Sequence, residues 1–213
     1  MRKTLLVVSA LTIAVAAAAC GDKKKKVVDA DAVETMFVNF QPTLLKIMSA
    51  GIAAKTTSAS GANIPTIGLV GAVQGTGGVG GQVAQSTGQN QNLNLWVELN
   101  DYSDTGDVVF QTDNTSNDTK LQFDLQITNQ PPDNQMDGTL VGTLTLDGDV
   151  EGTGEFDLAF ASDLMDDDNA PDLICTRVTG TVAAGTLSTS VDFVLVHLNT
   201  TLNPTQQAKC EAL

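Results

Sequence analysis

Alternation of apolar and polar residues through the second half of the chain limits its fold more than any other feature. Every second residue is apolar in the stretches 93–99 and 121–127. Because successive side chains of a strand point to opposite faces of a sheet, this pattern predicts strands with one buried and one solvated face. Similar runs predict strands at 93–99, 108–112, 121–127, 139–146, 153–161, 173–182 and 187–198.

Short turn sequences separate these strands. Asp147-Gly148 is the strongest hairpin signal, and residues 103–106 and 183–185 form further turns. Strands joined by short turns usually pair as antiparallel neighbours. The chain is therefore predicted to be α+β and mainly β, with an antiparallel meander of about seven or eight strands. A curved sheet covered by an N-terminal helix is favoured, and a folded-over sandwich is the alternative.

One helix is predicted before the sheet. Asp31 and Glu34 have the spacing of a capping box, which satisfies free amide groups at a helix start. Pro42 lacks an amide hydrogen, so the helix should kink there or a second helix should begin, and Gly51 is the expected end. The polar face carries acidic residues rather than lysines, which favours packing on the sheet over binding to a membrane surface or a partner. The apolar stripe consists of Val33, Met36, Phe37, Phe40, Leu44, Ile47 and Met48.

Segment 55–91 is rich in Gly, Ser and Gln. Its run from Gly75 to Gly81 is superficially similar to a phosphate-binding loop but lacks the Gly-Lys-Ser/Thr ending of one. The expectation is a flexible segment, or a weakly formed edge hairpin that adds one or two strands to the sheet.

The N-terminus has the order of a bacterial export signal. Two basic residues precede an apolar run at 5–19 that is too short for a membrane-spanning helix. The ending Ala17-Ala18-Ala19-Cys20 resembles the bacterial lipoprotein signal, although that family usually has Leu at the position of Ala17. The resemblance implies cleavage before Cys20 and acylation of its thiol, which would anchor the protein on a membrane. An ordinary cleaved signal with an incidental cysteine is the alternative.

Four lysines at 23–26 follow Cys20 and would lie at anionic lipid headgroups. In the enterobacterial sorting rule, Asp directly after the lipidated cysteine retains a lipoprotein in the inner membrane. Gly21 occupies that position here, which implies the outer membrane of the bacterial envelope. The predicted organisation is a signal peptide at 1–19, a lipidated tether at 20–28 and a single helix-plus-sheet domain at 29–213.

The body of the chain is strongly acidic. After residue 26 it contains five Lys and Arg residues against 24 Asp and Glu residues. A field of that sign repels nucleic acid and suits a protein partner with a basic surface, or divalent cations.

Cys175 and Cys210 are the two cysteines beyond Cys20. In an exported protein an even pair predicts one disulfide, which would tie the C-terminal tail to the sheet. A metal site needs more ligands than these two cysteines and a single histidine supply.

Catalytic motifs are absent from the sequence. It contains no G-x-S-x-G or H-E-x-x-H pattern, and its single histidine, His197, continues the apolar row of the last predicted strand. His197 is interpreted as a packing residue. No catalytic residue is nominated, and the chain is expected not to be an enzyme.

An acidic stretch between the fifth and sixth predicted strands supplies weak calcium candidates. Several carboxylates close together can bind a hard cation, but their spacing does not match the EF-hand loop. A solvated acidic loop without a cofactor is the favoured interpretation. The candidate ligands are Asp163, Asp166, Asp167, Asp168 and Asn169.

Two classes of function remain. The favoured one is a non-enzymatic interaction or scaffold domain presented from the outer membrane. The alternative is a carrier whose curved sheet and helix enclose a cavity for lipid or another hydrophobic ligand, an idea that rests on architectural analogy. A closed core favours the first class, and an unfilled apolar interior favours the second.

Overall fold

The computed structural model describes residues 30–55, 59–87, 90–130, 133–164 and 173–196, together with four residues of the C-terminal tail (Pro204, Gln207, Ala208 and Cys210). Within these residues a helix precedes nine strands of one antiparallel sheet, which confirms the predicted α+β, mainly β class. The elements are α1 (Ala30–Ala53), β1 (Asn63–Val70), β2 (Gln74–Ser86), β3 (Asn90–Ser103), β4 (Val108–Gln111), β5 (Leu121–Gln130), β6 (Asp133–Gly148), β7 (Gly152–Leu164), β8 (Leu173–Ala184) and β9 (Leu187–Val196).

The sheet is a meander in which β4 and β5 share one position. The strand order is β1-β2-β3-β4-β6-β7-β8-β9, and β5 also lies between β3 and β6. Tyr102 pairs with Phe110 of β4, and Val97 pairs with Leu121 of β5, so both strands run antiparallel to β3 on the same side of it. Strands β4 and β5 are therefore two parts of one interrupted strand. Residues 112–120, named the 112–120 excursion below, leave the sheet between these two parts.

Thr112 holds the start of this excursion against β3. Its amide donates a hydrogen bond to Leu99 O at 3.1 Å. Its hydroxyl Oγ1 accepts one from the Leu99 amide at 2.8 Å. The hydroxyl oxygen thus replaces a carbonyl at the point where the strand leaves the ladder.

The sheet curves around the helix. Phe37 contacts Phe193 of β9 at a ring-centroid distance of 5.3 Å. One turn later, Phe40 contacts Phe110 of β4 at 5.2 Å and stacks on Phe156 of β7 at 4.3 Å. Strands β4 and β9 are four positions apart in the strand order, which corresponds to about 19 Å in a flat sheet. This distance exceeds the diameter of a helix with its side chains, which is about 10–12 Å. The sheet must bend toward α1 for both contacts to form.

Helix α1 departs from the predicted boundaries. It continues through Pro42 to Ala53, which excludes a second helix at Pro42 and makes the expected end at Gly51 wrong. Gly51 instead marks a close approach, because a Cβ there would lie 2.6 Å from both Leu125 Cδ1 and Phe123 Cε1. No helix among the described residues is both long enough and apolar enough to span a membrane.

The Gly-rich segment contains the edge hairpin formed by β1 and β2. Several glycines of β2 face neighbours that leave little room for a larger side chain. A Cβ on Gly80 would lie 2.6 Å from Trp96 Cζ2, and one on Gly78 would lie 2.5 Å from Thr66 Cγ2. The run from Gly75 to Gly81 therefore serves strand packing in this fold.

Candidate functional surfaces

The predicted disulfide joins Cys175 to Cys210, which are 35 positions apart in the sequence and have Cα atoms 5.8 Å apart. Thr176 faces the interior, where its hydroxyl lies 2.8 Å from that of Ser162. Side chains alternate along a strand, so Cys175 lies on the outer, convex face. It is fully buried there, and Cys210 is 9% exposed. The bond therefore fixes Cys210 of the tail on the convex face of β8.

Asp104, in the turn between β3 and β4, is buried against the helix. Its carboxylate accepts hydrogen bonds from Lys46 Nζ at 2.5 Å and from Thr43 Oγ1 at 2.9 Å. It also accepts one from the Ala72 amide at 2.8 Å. These four residues, named the Asp104 clip below, join the middle of α1 to the β1–β2 turn and the β3–β4 turn.

Thr105, the residue after Asp104 in the same turn, also contacts α1. The Thr105 hydroxyl donates to Asn39 Oδ1, and Asn39 Nδ2 donates to Thr35 O at 2.8 Å. Asn39 and Thr43 are polar residues on a buried part of the helix. Their hydrogen bonds satisfy polar groups that would otherwise be costly to bury.

The surroundings of the clip favour a charged Asp104 carboxylate and a charged Lys46 ammonium. Burial raises the pKa of Asp104, but hydrogen bonds from Lys46, the Ala72 amide and Thr43 outweigh burial and hold this pKa below its ordinary value. Burial lowers the pKa of Lys46, yet its hydrogen bonds to Asp104 and Tyr102 leave it raised overall. Burial raises the pKa of Tyr102, whose hydroxyl donates to Val70 O at 3.2 Å. A pair that stays charged at neutral pH suits a structural contact better than proton transfer.

The convex face carries a second cluster around the single tryptophan. Lys120 Nζ lies 3.8 Å from the centroid of the Trp96 ring and 2.7 Å from Glu98 Oε2. It also donates to Asn117 Oδ1 at 3.0 Å. Lys120 is only 9% exposed. The cluster thus holds the 112–120 excursion against β3.

Two open grooves also lie on the convex face. One, of about 440 Å³, crosses β6 to β9, and the other, of about 290 Å³, crosses β3, β5 and β6. The first is lined by Glu155 and Asp157, and the second by Asp124 and Asp137, with amide and hydroxyl side chains between them. No basic residue lines either groove among the described residues. These surfaces match the acidic character of the whole chain.

Several predicted site residues fall outside the described residues. These are Cys20, His197, Asp166, Asp167, Asp168 and Asn169. Asp163 lies in β7, where it pairs with Cys175. In the described part of the chain, no three His, Cys, Asp or Glu side chains are grouped closely enough to hold a metal ion. The calcium site and the acylation site therefore stay predictions.

Sequence reasoning missed the Asp104 clip and the Trp96–Lys120 cluster. Asp104 occurs in a Ser-Asp-Thr-Gly turn, where an Asp is common for local reasons. The signal that was available is the polar pair Asn39 and Thr43 on an otherwise apolar helix face, which requires polar partners in the folded protein.

The chain matches no protein-family model, no curated protein and no solved structure.

Proposed function

We propose that this protein is a lipid-anchored protein of the bacterial outer membrane, and that its folded domain acts as a non-enzymatic interaction or scaffold module. The anchoring part of the proposal rests on the Ala17-Ala18-Ala19-Cys20 ending of the signal and on Gly21 directly after it. The scaffold part rests on how the concave face of the sheet is filled.

The observation that carries the scaffold part is the direct contact of α1 with the sheet. Phe40 lies between Phe110 and Phe156. A Cβ on Gly51 would lie 2.6 Å from Leu125 and from Phe123, so the helix backbone closely approaches the sheet there. A carrier for lipid needs an apolar cavity of several hundred Å³. The protein's own helix occupies the concave face at these points, which weighs against the carrier alternative.

The charge of the surface indicates the kind of partner. Lys46, Lys120 and Arg177 each form an ion pair with a carboxylate, so much of the positive charge of the domain is already neutralised. The whole chain has a formal net charge of −14. A partner with a basic surface fits this field, and its association should weaken as salt screens the charges.

The anchoring part is tested by Cys20→Ser in the full chain. Wild type is expected in the outer-membrane fraction with an acylated N-terminal cysteine, and the variant is expected to lack the acyl groups and leave that fraction. Replacement of Lys23 to Lys26 by glutamine is the matched control, because it removes charge but leaves the acyl chains. An unacylated Cys20 in wild type would overturn the anchoring part.

The scaffold part is tested separately, by organic extraction of purified protein and by capture of envelope proteins at low and high salt. Salt-sensitive capture of a basic protein, with no extracted lipid, is the expected result. A stoichiometric extracted lipid would overturn the scaffold part in favour of the carrier.

A further inference from the structure

The two edge strands of the sheet differ in how their free edges are protected. β1 contains Pro65 and has a register shift between Ile64 and Ile67, and both features blunt an edge. β9 has ten residues without Pro, Lys or Arg. Among the described residues β9 pairs only with β8, so alternate N–H and C=O groups of β9 point away from the sheet.

The side chains of β9 that face the helix are incompletely covered. Leu187, Val191, Phe193 and Leu195 are partly buried residues packed against the core. On the interior strand β3, by contrast, the corresponding row at 93–99 is almost wholly buried. A further strand beside β9 would cover the remaining apolar surface of this row.

The charge along β9 favours a second copy of this chain as the source of that strand. Asp192 is the one charged residue of β9, and Arg177 binds it in a bidentate manner at 2.8 and 2.9 Å. In a chain with a formal net charge of −14, this edge is locally neutral. Repulsion between two like-charged copies is therefore weaker at this edge than at the carboxylate-lined grooves of the convex face.

We propose that two copies pair through β9, edge to edge and antiparallel, so that the sheet continues across a twofold axis at Val191. In an antiparallel pair, directly opposite residues have their side chains on the same face of the sheet. Because side chains alternate between the two faces along a strand, opposite residues of two identical strands differ by an even number of positions. The twofold axis therefore passes beside one residue, which lies opposite its own copy. The two residues at the middle of β9 are Val191 and Asp192. An axis at Asp192 would set two carboxylates opposite each other, which is unfavourable, whereas an axis at Val191 sets two apolar side chains together.

The register centred on Val191 is self-complementary along the whole strand. On the concave side Leu187 lies opposite Leu195 of the second copy, and Thr189 lies opposite Phe193 of the second copy. On the convex side Ser190 lies opposite Asp192 of the second copy, where its hydroxyl can donate to the carboxylate. This pairing depends on the edge of the sheet alone and holds whether or not Cys20 is acylated.

Disulfide cross-linking of the full chain in cells tests the pairing and its register. In Val191→Cys the two thiols would lie directly opposite, with Cα atoms about 4.5–5.5 Å apart, a spacing that a disulfide spans. Thr189→Cys is the control for register, because its two copies would be about 13 Å apart along the strands. Ile67→Cys is the control for the other edge, since Ile67 is also a half-buried residue that packs against the core. Co-expression of a tagged and an untagged copy distinguishes self-pairing from capture of another protein.

The expected result is a reducible dimer for Val191→Cys, at least tenfold more abundant than for either control, with the mixed tagged–untagged band present. Equal cross-linking of all three variants would overturn the proposal, because it would indicate random collision. Absence of the Val191→Cys dimer would overturn it as well, and maleimide labelling would then show whether the thiol is exposed or covered by the rest of the chain. A Val191→Cys adduct to a different protein would replace the second copy by a partner strand.

Discussion

The ammonium of Lys46 lies 2.5 Å from a carboxylate oxygen of Asp104, and the carboxylate is 2% exposed while the lysine side chain is 38% exposed. The pair joins the middle of α1 to the turn between β3 and β4. Because the buried partner is the acid, loss of its hydrogen bonds should cost more than loss of a surface ion pair. The clip therefore helps to hold the helix in the concave face.

Asp104→Asn is expected to lower the free energy of unfolding by about 1.5–3 kcal/mol, because it removes the charge of a buried carboxylate that is hydrogen-bonded to α1 and to the β1–β2 turn. Urea unfolding measures the loss. Asp192→Asn is the matched control, since it breaks an exposed ion pair in which the side chains of Asp192 and Arg177 are 59% and 42% exposed. This control should cost below about 1 kcal/mol. Similar small losses in both variants would contradict a stabilising role for the clip.

The contribution of Asp104 to stability should disappear in acid. Its folded-state pKa lies below the ordinary value of 3.8, so its stabilisation is complete above that value and is lost as the pH falls through the folded pKa. The stability difference between wild type and Asp104→Asn should be constant near neutral pH and shrink below about pH 3.8. Lys46 behaves in the opposite sense, because its folded-state pKa is raised above the ordinary value of 10.5. Its contribution to stability is complete below pH 10.5 and is lost as the pH rises through the folded pKa. A difference that widens toward low pH would contradict this assignment.

Gly51→Ala is expected to destabilise the protein by about 1–3 kcal/mol, although Ala favours a helix by about 1 kcal/mol over Gly. The reason is that its Cβ would lie 2.6 Å from Leu125 and from Phe123. Gly68→Ala on the edge strand β1 is the control, because no atom lies within 4 Å of the Cβ position there. Thermal unfolding compares the two. A stabilised Gly51→Ala variant would show that the helix is not packed directly on the sheet.

Removal of the disulfide is expected to lower stability by about 4 kcal/mol, on the loop-entropy estimate for a closed loop of this size. Urea unfolding with and without a reductant gives the value. The double variant Cys175→Ser, Cys210→Ser is the control, because reductant should then have no effect. An unchanged wild-type midpoint on complete reduction would mean that Cys210 of the tail adds nothing to the fold.

Lys120→Ala is expected to shift Trp96 fluorescence to longer wavelength and to cost about 1–2 kcal/mol, because the ring loses a partly desolvated cation–π partner and gains contact with water. Trp96 is the single tryptophan, so the emission reports this cluster alone. Lys55→Ala is the control for a change of charge elsewhere and should leave the emission unchanged. An unshifted Lys120→Ala spectrum would contradict the described contact.

The sequence pattern predicted helix and strand positions well where one face of the element is buried. It predicted their boundaries less well where a glycine or a tertiary contact determines them. The alternation at 121–127 corresponds to β5, because that row packs fully against the core. The predicted strand starting at Thr139 begins instead at Asp133, since Gly138 interrupts the apolar row where its missing Cβ makes room for Phe160. Gly51 resembled a helix end for the same reason.

The candidate surfaces were less predictable than the strands. The disulfide followed from counting cysteines, because only one pair remains after Cys20. The Asp104 clip joins residues about 60 positions apart, and no local pattern reports such a contact. The same holds for Lys120 and Trp96, which meet only because the 112–120 excursion returns to β3.

The most direct test of the proposed anchor and scaffold role is the intact mass of the protein purified from the envelope in mild detergent, before and after organic extraction. The expected mass is that of a chain that starts at Cys20, carries covalent acyl groups and lacks the hydrogens lost in the Cys175–Cys210 bond. Extraction is expected to leave this mass unchanged. A reproducible extra mass that extraction removes and identifies as lipid would contradict the proposed scaffold role and favour the carrier. A mature chain with an unmodified Cys20 would contradict the lipid anchor.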